Sequence, residues 1–356
     1  MASRSPLSKA STTFCLNLLK KLCDDGEADN LFVSPFSIFS SLFMLLLGAK
    51  GNTREQIAEV MELLISPGDF LQSFGELQRK ILSKDAPYSL NIANRLYGEQ
   101  TCNFLEKFLK DCETDLGAEL EPVDFINQAE KARVSINHWV EAETGGKIKE
   151  LLGSGLVDNS TKLIVVNAIY FKSDWASQFP KDATTDEKFW ISKTEWKPVK
   201  MMHLSGDFRY AAFPDCNCKV LELPYKRGEL SMIVVLPDDI GDGPAALNSL
   251  MGSLLCDNIN KWMDCDTMAT TPVKVSLPCF SIEDKIQLKD VLKELGMVDA
   301  FDPTISDFSG MSSCDNMAVS GVIHQASIDV NEEGTEAAAA TAGMLDSKPS
   351  QLVEGI

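Results

Sequence analysis

Histidine is scarce in this chain, and no known catalytic motif surrounds the three copies that it has. His138, His203 and His324 lie far apart, and none belongs to a G-x-S-x-G nucleophile motif or an HExxH zinc motif. The chain also has no Walker loop and no GxGxxG sequence. One histidine is enough for a hydrolase, so the scarcity alone excludes nothing. The missing motifs nevertheless predict a protein that is not an enzyme and that needs no metal or cofactor.

Long apolar runs are absent as well. The longest candidate, Ile38–Leu47, contains two serines and is shorter than the ~18–20 residues that cross a bilayer. The N-terminal sequence Met-Ala-Ser-Arg-Ser-Pro-Leu-Ser lacks the apolar core of a signal peptide. We therefore expect a cytoplasmic protein, with release from the cell left open. Asn159-Ser160-Thr161 matches the glycosylation sequence, which has meaning only for an exported protein.

Positive charge is in short supply, because 33 Lys and Arg face 52 Asp and Glu for a net charge of −19. Nucleic acids and anionic membranes need clustered Lys and Arg, so we expect neither as a partner. The ten cysteines include no CxxC pair, and Cys216-Asn217-Cys218 has no histidine nearby to complete a zinc site. The cysteines are therefore expected to be free thiols in a reducing compartment.

The periodicity of apolar residues predicts a single domain, 1–356, of mixed α and β structure. Residues 162–171 are almost continuously apolar, which is typical of a strand in the middle of a sheet. Asn167 interrupts this run and must be hydrogen-bonded if it is buried. Helices are predicted at 8–24, 38–47, 71–82, 103–112, 128–143 and 286–295. Strands are predicted at 30–33, 90–97, 162–171, 218–224, 230–236, 273–280 and 319–330.

Residues 329–342 combine a strand, two acids, a glycine and a run of small residues. Four consecutive alanines have no bulk with which to build a core, and the run has no apolar face for a helix to bury. Because its side chains are small and uncharged, this segment could enter a closely packed part of the protein. From the residues alone, an alanine-rich linker is an equally good interpretation.

Several segments, in the correct order along the chain, resemble the serpin family over essentially its whole length. These segments are Asn30-Leu31-Phe32-Val33-Ser34-Pro35-Phe36-Ser37-Ile38, Val166–Trp175, Leu221–Tyr225 with Met232–Pro237, and His324–Ala337. Ala93–Glu99 and the missing signal peptide resemble the intracellular, ovalbumin-like branch. The resemblance implies an α+β serpin fold with three β-sheets, about nine helices and an exposed reactive-centre loop at about 332–356.

The resemblance also implies three sets of site residues. Ser34, Ser37, Asn167 and His324 match the shutter, the polar region where strands of the main sheet part. Trp175 matches the breach, where the loop enters the sheet. The hinge matches Glu332, Glu333, Gly334, Thr335, Glu336, Ala337, Ala338, Ala339, Ala340 and Thr341.

Serpins offer their loop to a protease, hold the protease as an acyl-enzyme and insert the loop into the main sheet of a metastable fold. The resemblance therefore implies a suicide inhibitor of serine proteases, with a target protease as partner. Alternate residues from Thr335 to Leu345 are small or apolar, which suits one buried strand face. A non-inhibitory carrier or chaperone is the alternative. The protein is expected to be a monomer that keeps its own cleaved C-terminal fragment.

The family's usual spacing from Glu332 places the reactive bond between Lys348 and Pro349. Lysine suits a trypsin-like protease, but proline after the cut disfavours serine proteases, so a cysteine protease is an alternative target. Leu345-Asp346, Ser347-Lys348 and Leu352-Val353 remain alternative bonds. Serpins continue for roughly 30–40 residues past this point and supply central strands there, so we expect this sequence to be a fragment.

Overall fold

The computed structural model describes residues 5–24, 30–63, 67–83, 85–238, 244–264, 267–335 and 353–354. None of the helices within these ranges has the length and apolar character needed to cross a membrane. The helices are α1 Pro6–Asp24, α2 Pro35–Gly48, α3 Gly51–Val60, α4 Pro67–Ile81, α5 Glu106–Leu116, α6 Phe125–Glu143, α7 Pro244–Ser253, α8 Cys256–Trp262 and α9 Lys289–Glu294. The strands are β1 Ser89–Glu99, β2 Glu119–Val123, β3 Leu163–Asp174, β4 Thr185–Trp190, β5 Trp196–Phe213, β6 Cys218–Pro224, β7 Ser231–Pro237, β8 Ala269–Pro278, β9 Phe280–Gln287, β10 Val319–Val330, β11 Gly334–Thr335 and β12 Val353–Glu354.

Helix α2 begins and ends where its sequence dictates. The Ser34 hydroxyl accepts a hydrogen bond from the Ser37 amide at 3.4 Å, and Pro35 occupies the first turn, where a missing amide proton costs nothing. Most of its side chains are buried, as the apolar run predicted. Gly48 is the last residue of the helix, and it must be glycine because a Cβ there would lie 2.7 Å from the Met311 Cβ. These contacts fix α2, and with it the serines of the candidate site.

The first sheet has the strand order β2-β1-β3-β11-β10-β9. Strands β3 and β10 pair in parallel from Leu163–Val319 to Tyr170–Ser327. Every residue of β3 from Leu163 to Tyr170 is buried, which confirms the predicted central strand. Further along the same two strands, the short strand β11 lies between them.

The second sheet has the order β12-β8-β5-β6-β7, with β4 paired to β5. Strand β5 is 18 residues long. Its first part pairs with β4, its middle with β8 and its end with β6. The described strands therefore form two hydrogen-bonded sheets rather than the three expected, because β5 connects β4, β8 and β6 into one sheet. The described elements are of mixed α and β type, as predicted.

Contacts divide the chain into two compact units, each with its own core. The first is drawn from residues 1–86, 90–170 and 283–327, and the second from residues 87–89, 171–282 and 328–356. Phe39, Phe43 and Leu45 of α2 lie at the centre of a large buried cluster in the first unit. Val220 and Trp262 are buried in the second unit. The single-domain prediction is not tested by this division and stays a prediction.

The predicted strand at 30–33 and the predicted helix at 286–295 differ most from the structure. Residues 30–34 join no sheet, because the Phe32 amide donates to the Asp284 side chain of β9 (3.0 Å) instead of to a strand backbone. The predicted helix at 286–295 is shorter, since Ile286 and Gln287 finish β9 and α9 begins only at Lys289.

The expectation of free thiols was wrong for one pair, because Cys102 and Cys314 form a disulfide. The two chain segments are held side by side independently of the sulfur atoms. The Leu105 amide donates to the Met311 carbonyl at 3.0 Å, and the Ser312 hydroxyl donates to the Asn103 carbonyl at 2.9 Å. The cysteines are 212 residues apart, so no local sequence pattern indicates the pairing.

Candidate functional site

The four residues predicted for the shutter lie together in one buried polar cluster. His324 of β10 and Asn167 of β3 are direct partners in the parallel register of the two strands. Both side chains are completely buried. Ser34 and Ser37 approach them from the start of α2. The residue identities were predicted from the resemblance, and the structure brings all four together.

The direction of the hydrogen bonds fixes the protonation of His324. The Ser34 amide donates to His324 Nε2 at 3.1 Å, so this nitrogen carries a lone pair. The proton of the neutral ring is therefore on Nδ1, which donates to the Asn167 side-chain oxygen. Burial lowers the pKa of His324 to about 3, so the ring is neutral at physiological pH.

Two residues that the sequence analysis missed complete this polar cluster. The Asn167 amide donates to the Ser41 hydroxyl at 2.9 Å and to the Asn94 oxygen at 2.7 Å. The Ser37 hydroxyl donates to the same Asn94 oxygen at 2.9 Å. Ser41 follows Ser37 by one helical turn, and this spacing could have predicted that both serines lie on the same face of α2. Asn94 had none, because an asparagine on an alternating strand is ordinarily assigned to a polar face.

The first described residues of the predicted hinge lie in a second cluster around β11. Gly334 pairs with Asp174 and Thr335 with Ser173 on β3, and Thr335 also pairs with Val330 on β10. Thr335 is completely buried. The chain therefore turns back after β10 and enters the space between β3 and β10.

Backbone contact explains why residue 334 is glycine. A Cβ on Gly334 would lie 2.1 Å from the Ser173 carbonyl oxygen and 2.7 Å from the Asp174 Cα. Both atoms belong to the backbone of β3, which cannot move aside without breaking the strand. The turn before it is closed by Asn331, whose side-chain oxygen accepts the Glu333 and Gly334 amides at 3.0 and 3.2 Å. Asn331 thus directs the chain into the sheet.

Trp175, the predicted breach residue, is buried in this hinge cluster. Its indole nitrogen donates to the Asn331 carbonyl at 3.0 Å, and its ring stacks on Tyr225 with centroids 4.7 Å apart. The Tyr225 hydroxyl lies 2.8 Å from the Thr335 hydroxyl. Burial raises the pKa of Tyr225 to about 12, so the phenol remains a neutral hydrogen-bonding group. Tyr225 was quoted for the resemblance but not assigned a role, and it joins the tryptophan to the hinge.

The two hinge acids are held by side chains of the second unit. Thr184 donates to the Glu332 carboxylate at 2.7 Å, and Lys181 forms an ion pair with Glu333. The Glu333 hydrogen bond raises the pKa of Lys181. The amides of Trp175 and Phe179 donate to the carbonyls of Glu333 and Glu332, each at 2.9 Å. The start of the hinge is therefore fixed by backbone and side-chain contacts alike.

The remaining predicted site residues lie outside the described part of the chain. These are Glu336, Ala337, Ala338, Ala339, Ala340, Thr341, Lys348 and Pro349. The chain is described again at β12, where Val353 pairs in parallel with Val273 of β8. Within the described ranges, no three His, Cys, Asp or Glu side chains are arranged to hold a metal ion.

Comparison with known proteins agrees with this geometry. The family model "Serpin (serine protease inhibitor)" matches residues 9–354. A leukocyte elastase inhibitor of Xenopus laevis is 46% identical over 339 residues, which cover 95% of this chain and 89% of the relative. Uncleaved ovalbumin superposes with a TM-score of 0.86 at 34% identity, covering 93% of this chain and 88% of ovalbumin. A loop-inserted structure of a cleaved ovalbumin mutant gives 0.85 at 33% identity, covering 92% and 88%.

The match spans nearly the whole chain and includes both clusters. Relatives named as protease inhibitors also confirm that the protein is not an enzyme. The chain belongs to the serpin family.

Proposed function

We propose that this protein inhibits a serine-type endopeptidase by trapping it as an acyl-enzyme while residues after Thr335 insert into the first sheet. The observation that carries the proposal is β11, because its two residues already lie between β3 and β10. Insertion then continues an existing strand rather than starting a new one. A cleaved relative with an inserted loop, the ovalbumin mutant, supports the same direction of change.

The residues beyond β11 suit the path that insertion would take. Alternation from Thr335 places Ala337, Ala339 and Thr341 on its buried face. The direct pairing of β3 with β10 must separate to admit them, and the Asn167–His324 hydrogen bond spans that pairing. We propose that the polar cluster holds the strands together until the loop is cut.

The chemical step belongs to the protease. The hydroxyl oxygen of its serine attacks the scissile carbonyl carbon, the peptide bond breaks, and an ester joins the loop to the protease. The serine proton passes to the departing nitrogen, which becomes the new amino terminus of the C-terminal fragment. We propose Lys348-Pro349 as the scissile bond, with Leu345-Asp346, Ser347-Lys348 and Leu352-Val353 as the alternatives.

The class of target protease follows from the residue before the cut. Cleavage after Lys348 favours a trypsin-like protease, whereas the relatives are named as inhibitors of leukocyte elastase. Incubation with trypsin, neutrophil elastase and a papain-like protease would separate these targets. Mass spectrometry of the released fragment identifies the bond. We also propose that the protein acts as a monomer in the cytoplasm, where thiol buffers would keep Cys102 and Cys314 reduced.

The variant Thr335→Arg tests the mechanism at its first inserted position. Thr335 is completely buried, so an arginine there must either bury its charge or withdraw the hinge. Insertion then becomes slow relative to hydrolysis of the ester. We expect an SDS-stable complex with wild type and a cleaved, uncomplexed product with Thr335→Arg.

Thr335→Val is the matched control. It removes the hydroxyl that meets Tyr225 but keeps a small β-branched side chain, so it should still form the complex. A covalent complex formed equally well by the arginine variant would contradict the insertion mechanism. Cleavage of wild type by every protease in the panel without any complex would favour a carrier or chaperone.

A further inference from the structure

The Cys102–Cys314 disulfide joins the two groups of strands that have to part in the proposed inhibition, on which this inference rests. The strand order of the first sheet puts β2, β1 and β3 on one side of the opening and β10 and β9 on the other. Cys102 follows the end of β1, and Cys314 precedes the start of β10. The bond therefore links the side that carries β3 to the side that carries β10.

Cys102 is fixed to the strands on the β3 side. The Glu99 amide donates to the carbonyl of Lys162, the residue before β3, and the Cys102 amide donates to the Glu99 carbonyl, each at 2.9 Å. The Thr101 amide donates to the Glu99 carboxylate at 3.0 Å. This tight turn has no slack, so Cys102 must move together with β1 and β3.

A short, anchored stretch connects Cys314 to β10, which begins at Val319. Within this stretch Met317 is buried, and its carbonyl accepts from the Ser306 hydroxyl at 2.8 Å. The Cys314 amide donates to the Ser312 hydroxyl at 3.1 Å. The stretch cannot lengthen without breaking these contacts, so Cys314 stays on the β10 side when the sheet opens.

Both cysteines lie beside the end of the sheet that an inserting loop would reach last. Strand β11 lies at the other end of β3, where Thr335 pairs with Ser173. If this antiparallel register continued, Leu345 would lie opposite Leu163, the first residue of β3. Strand β10 begins at the same place, because Val319 pairs with Leu163. The last residues to insert would therefore have to open the sheet next to the disulfide.

The disulfide is too short to permit this opening. A strand that enters between β3 and β10 moves its two neighbours apart by about 4.8 Å. The Cα atoms of Cys102 and Cys314 are 5.1 Å apart, and a disulfide keeps this distance below about 6.8 Å. The bond thus permits roughly a third of the movement. The nearby hydrogen bond between the Leu105 amide and the Met311 carbonyl can break and re-form during the movement, whereas the covalent bond cannot.

We propose that Cys102 and Cys314 form a redox latch, which permits full insertion when the thiols are reduced and stops it before the last residues when they are oxidised. Incomplete insertion leaves more time for hydrolysis of the ester, so the oxidised chain is consumed as a substrate. The glutathione pool keeps the latch open in the proposed cytoplasmic location, and an oxidising environment closes it.

Glutathione disulfide is the oxidant that the reaction requires. Cys314 is partly exposed and Cys102 is buried, so Cys314 reacts first. Its thiolate attacks one sulfur of glutathione disulfide, whose S–S bond breaks and releases the first glutathione. The Cys102 thiolate then attacks the Cys314 sulfur and releases the second glutathione. The two protein thiols lose two electrons and two protons, and both are recovered in the two glutathione thiols.

The latch is tested on the native chain after equilibration with reduced glutathione or with glutathione disulfide, each of which is then removed. Mass spectrometry of unreduced peptides measures the Cys102–Cys314 bond. The member of the protease panel that forms the SDS-stable complex is then added. The ratio of cleaved to complexed inhibitor should be severalfold higher for oxidised than for reduced wild type, and dithiothreitol should restore the lower ratio.

Two variants assign the effect to this pair of cysteines. Cys102→Ala/Cys314→Ala should keep the lower ratio under both conditions. Cys279→Ala removes another partly buried thiol and should keep the wild-type difference. Equal ratios for wild type with and without the bond would overturn the latch, as would a bond that glutathione disulfide does not form. If reduced wild type and the double variant both gave no complex, the proposed inhibition itself would be wrong.

A second measurement separates a latch from a bond that only stabilises the fold. Calorimetry compares the intact chain with the chain cut once within residues 336–352, each pair in one redox state. Cutting should raise the unfolding midpoint of the reduced chain by more than that of the oxidised chain. A bond with a purely structural role would shift cut and intact chains alike, so equal rises would also overturn the latch.

Discussion

At the scale of single residues, His324 is held in one protonation state by its surroundings. Its Nε2 faces the Ser34 amide proton, so a proton added there would meet another donor. Its Nδ1 already donates to Asn167. Burial lowers the pKa to about 3 from the usual 6.5, so the folded chain strongly disfavours the charged ring. The residue that joins β10 to β3 is therefore also a source of pH-dependent stability.

The stability of the fold should decrease in acid because of this histidine. Above pH 6.5 the ring is neutral in both states, and the contribution to stability is complete. Below pH 6.5 the ring is protonated in the unfolded chain, whereas in the folded chain it stays neutral down to about pH 3. The free energy of unfolding should fall by up to about 1.4 kcal/mol per pH unit in this window. Urea unfolding at pH 7.5, 6, 5 and 4 (about one-unit steps) measures the slope.

His324→Gln isolates the contribution. The variant should be less stable at pH 7.5 by about 1–3 kcal/mol, because it breaks the polar cluster. Its stability should nevertheless fall less steeply between pH 6.5 and 4 than that of wild type. His138→Gln, on the exposed side of α6, should keep the wild-type slope. Identical slopes for His324→Gln and wild type would mean that His324 is not buried as a neutral ring.

Sequence resemblance identified the candidate site better than residue chemistry did. Asn167 was the only cluster member that periodicity alone marked, because an amide inside a buried strand requires a partner. Ser34, Ser37 and His324 came from the family match. Asn94 was missed because its role depends on β1 meeting α2, a tertiary contact that no local pattern encodes.

At the scale of elements, β11 depends on the absence of a side chain at Gly334. We expect Gly334→Ala to displace the strand, because the added Cβ would overlap the Ser173 carbonyl. The free energy of unfolding should fall by about 1–3 kcal/mol, as for other overpacked sites. Urea unfolding measures the loss, and hydrogen exchange at 330–335 locates it. Gly153→Ala is the control, since nothing lies within 4 Å of a Cβ there.

Elements with a strong apolar period were predictable, and those defined by their partners were not. Helix α2 and strand β3 agree with their patterns because burial decides both. Strand β5 was missed entirely, since its exposed and buried residues do not alternate regularly over its 18 residues. Residues 30–33 have a strand-like composition but form no backbone pairing with the described strands, so composition alone misassigned them.

At the scale of the whole molecule, the Cys102–Cys314 disulfide closes a very long loop within the first unit. Cross-linking residues 212 apart removes much of the conformational freedom of the unfolded chain. We expect reduction to lower the free energy of unfolding by about 2–5 kcal/mol. Thermal unfolding with and without dithiothreitol measures this.

The double variant Cys102→Ala/Cys314→Ala is the control for that measurement. Its unfolding midpoint should equal that of reduced wild type and should not change when dithiothreitol is added. If oxidised and reduced wild type unfold at the same temperature, the disulfide contributes nothing to stability.

Insertion of the cut loop is expected to give the largest change in stability of the whole molecule. A full strand added to the first sheet gains some ten hydrogen bonds at ~1 kcal/mol net each, on the order of 10 kcal/mol. For a chain of this length such a gain raises the unfolding midpoint by roughly 10–20 °C. Calorimetry of wild type cut once within residues 336–352 measures the rise. Thr335→Arg cut at the same bond should show little of this rise, because insertion would bury the arginine charge at an unfavourable cost. A cut wild type that unfolds together with the intact protein would make these residues an ordinary surface loop, and the carrier alternative would then account better for this serpin.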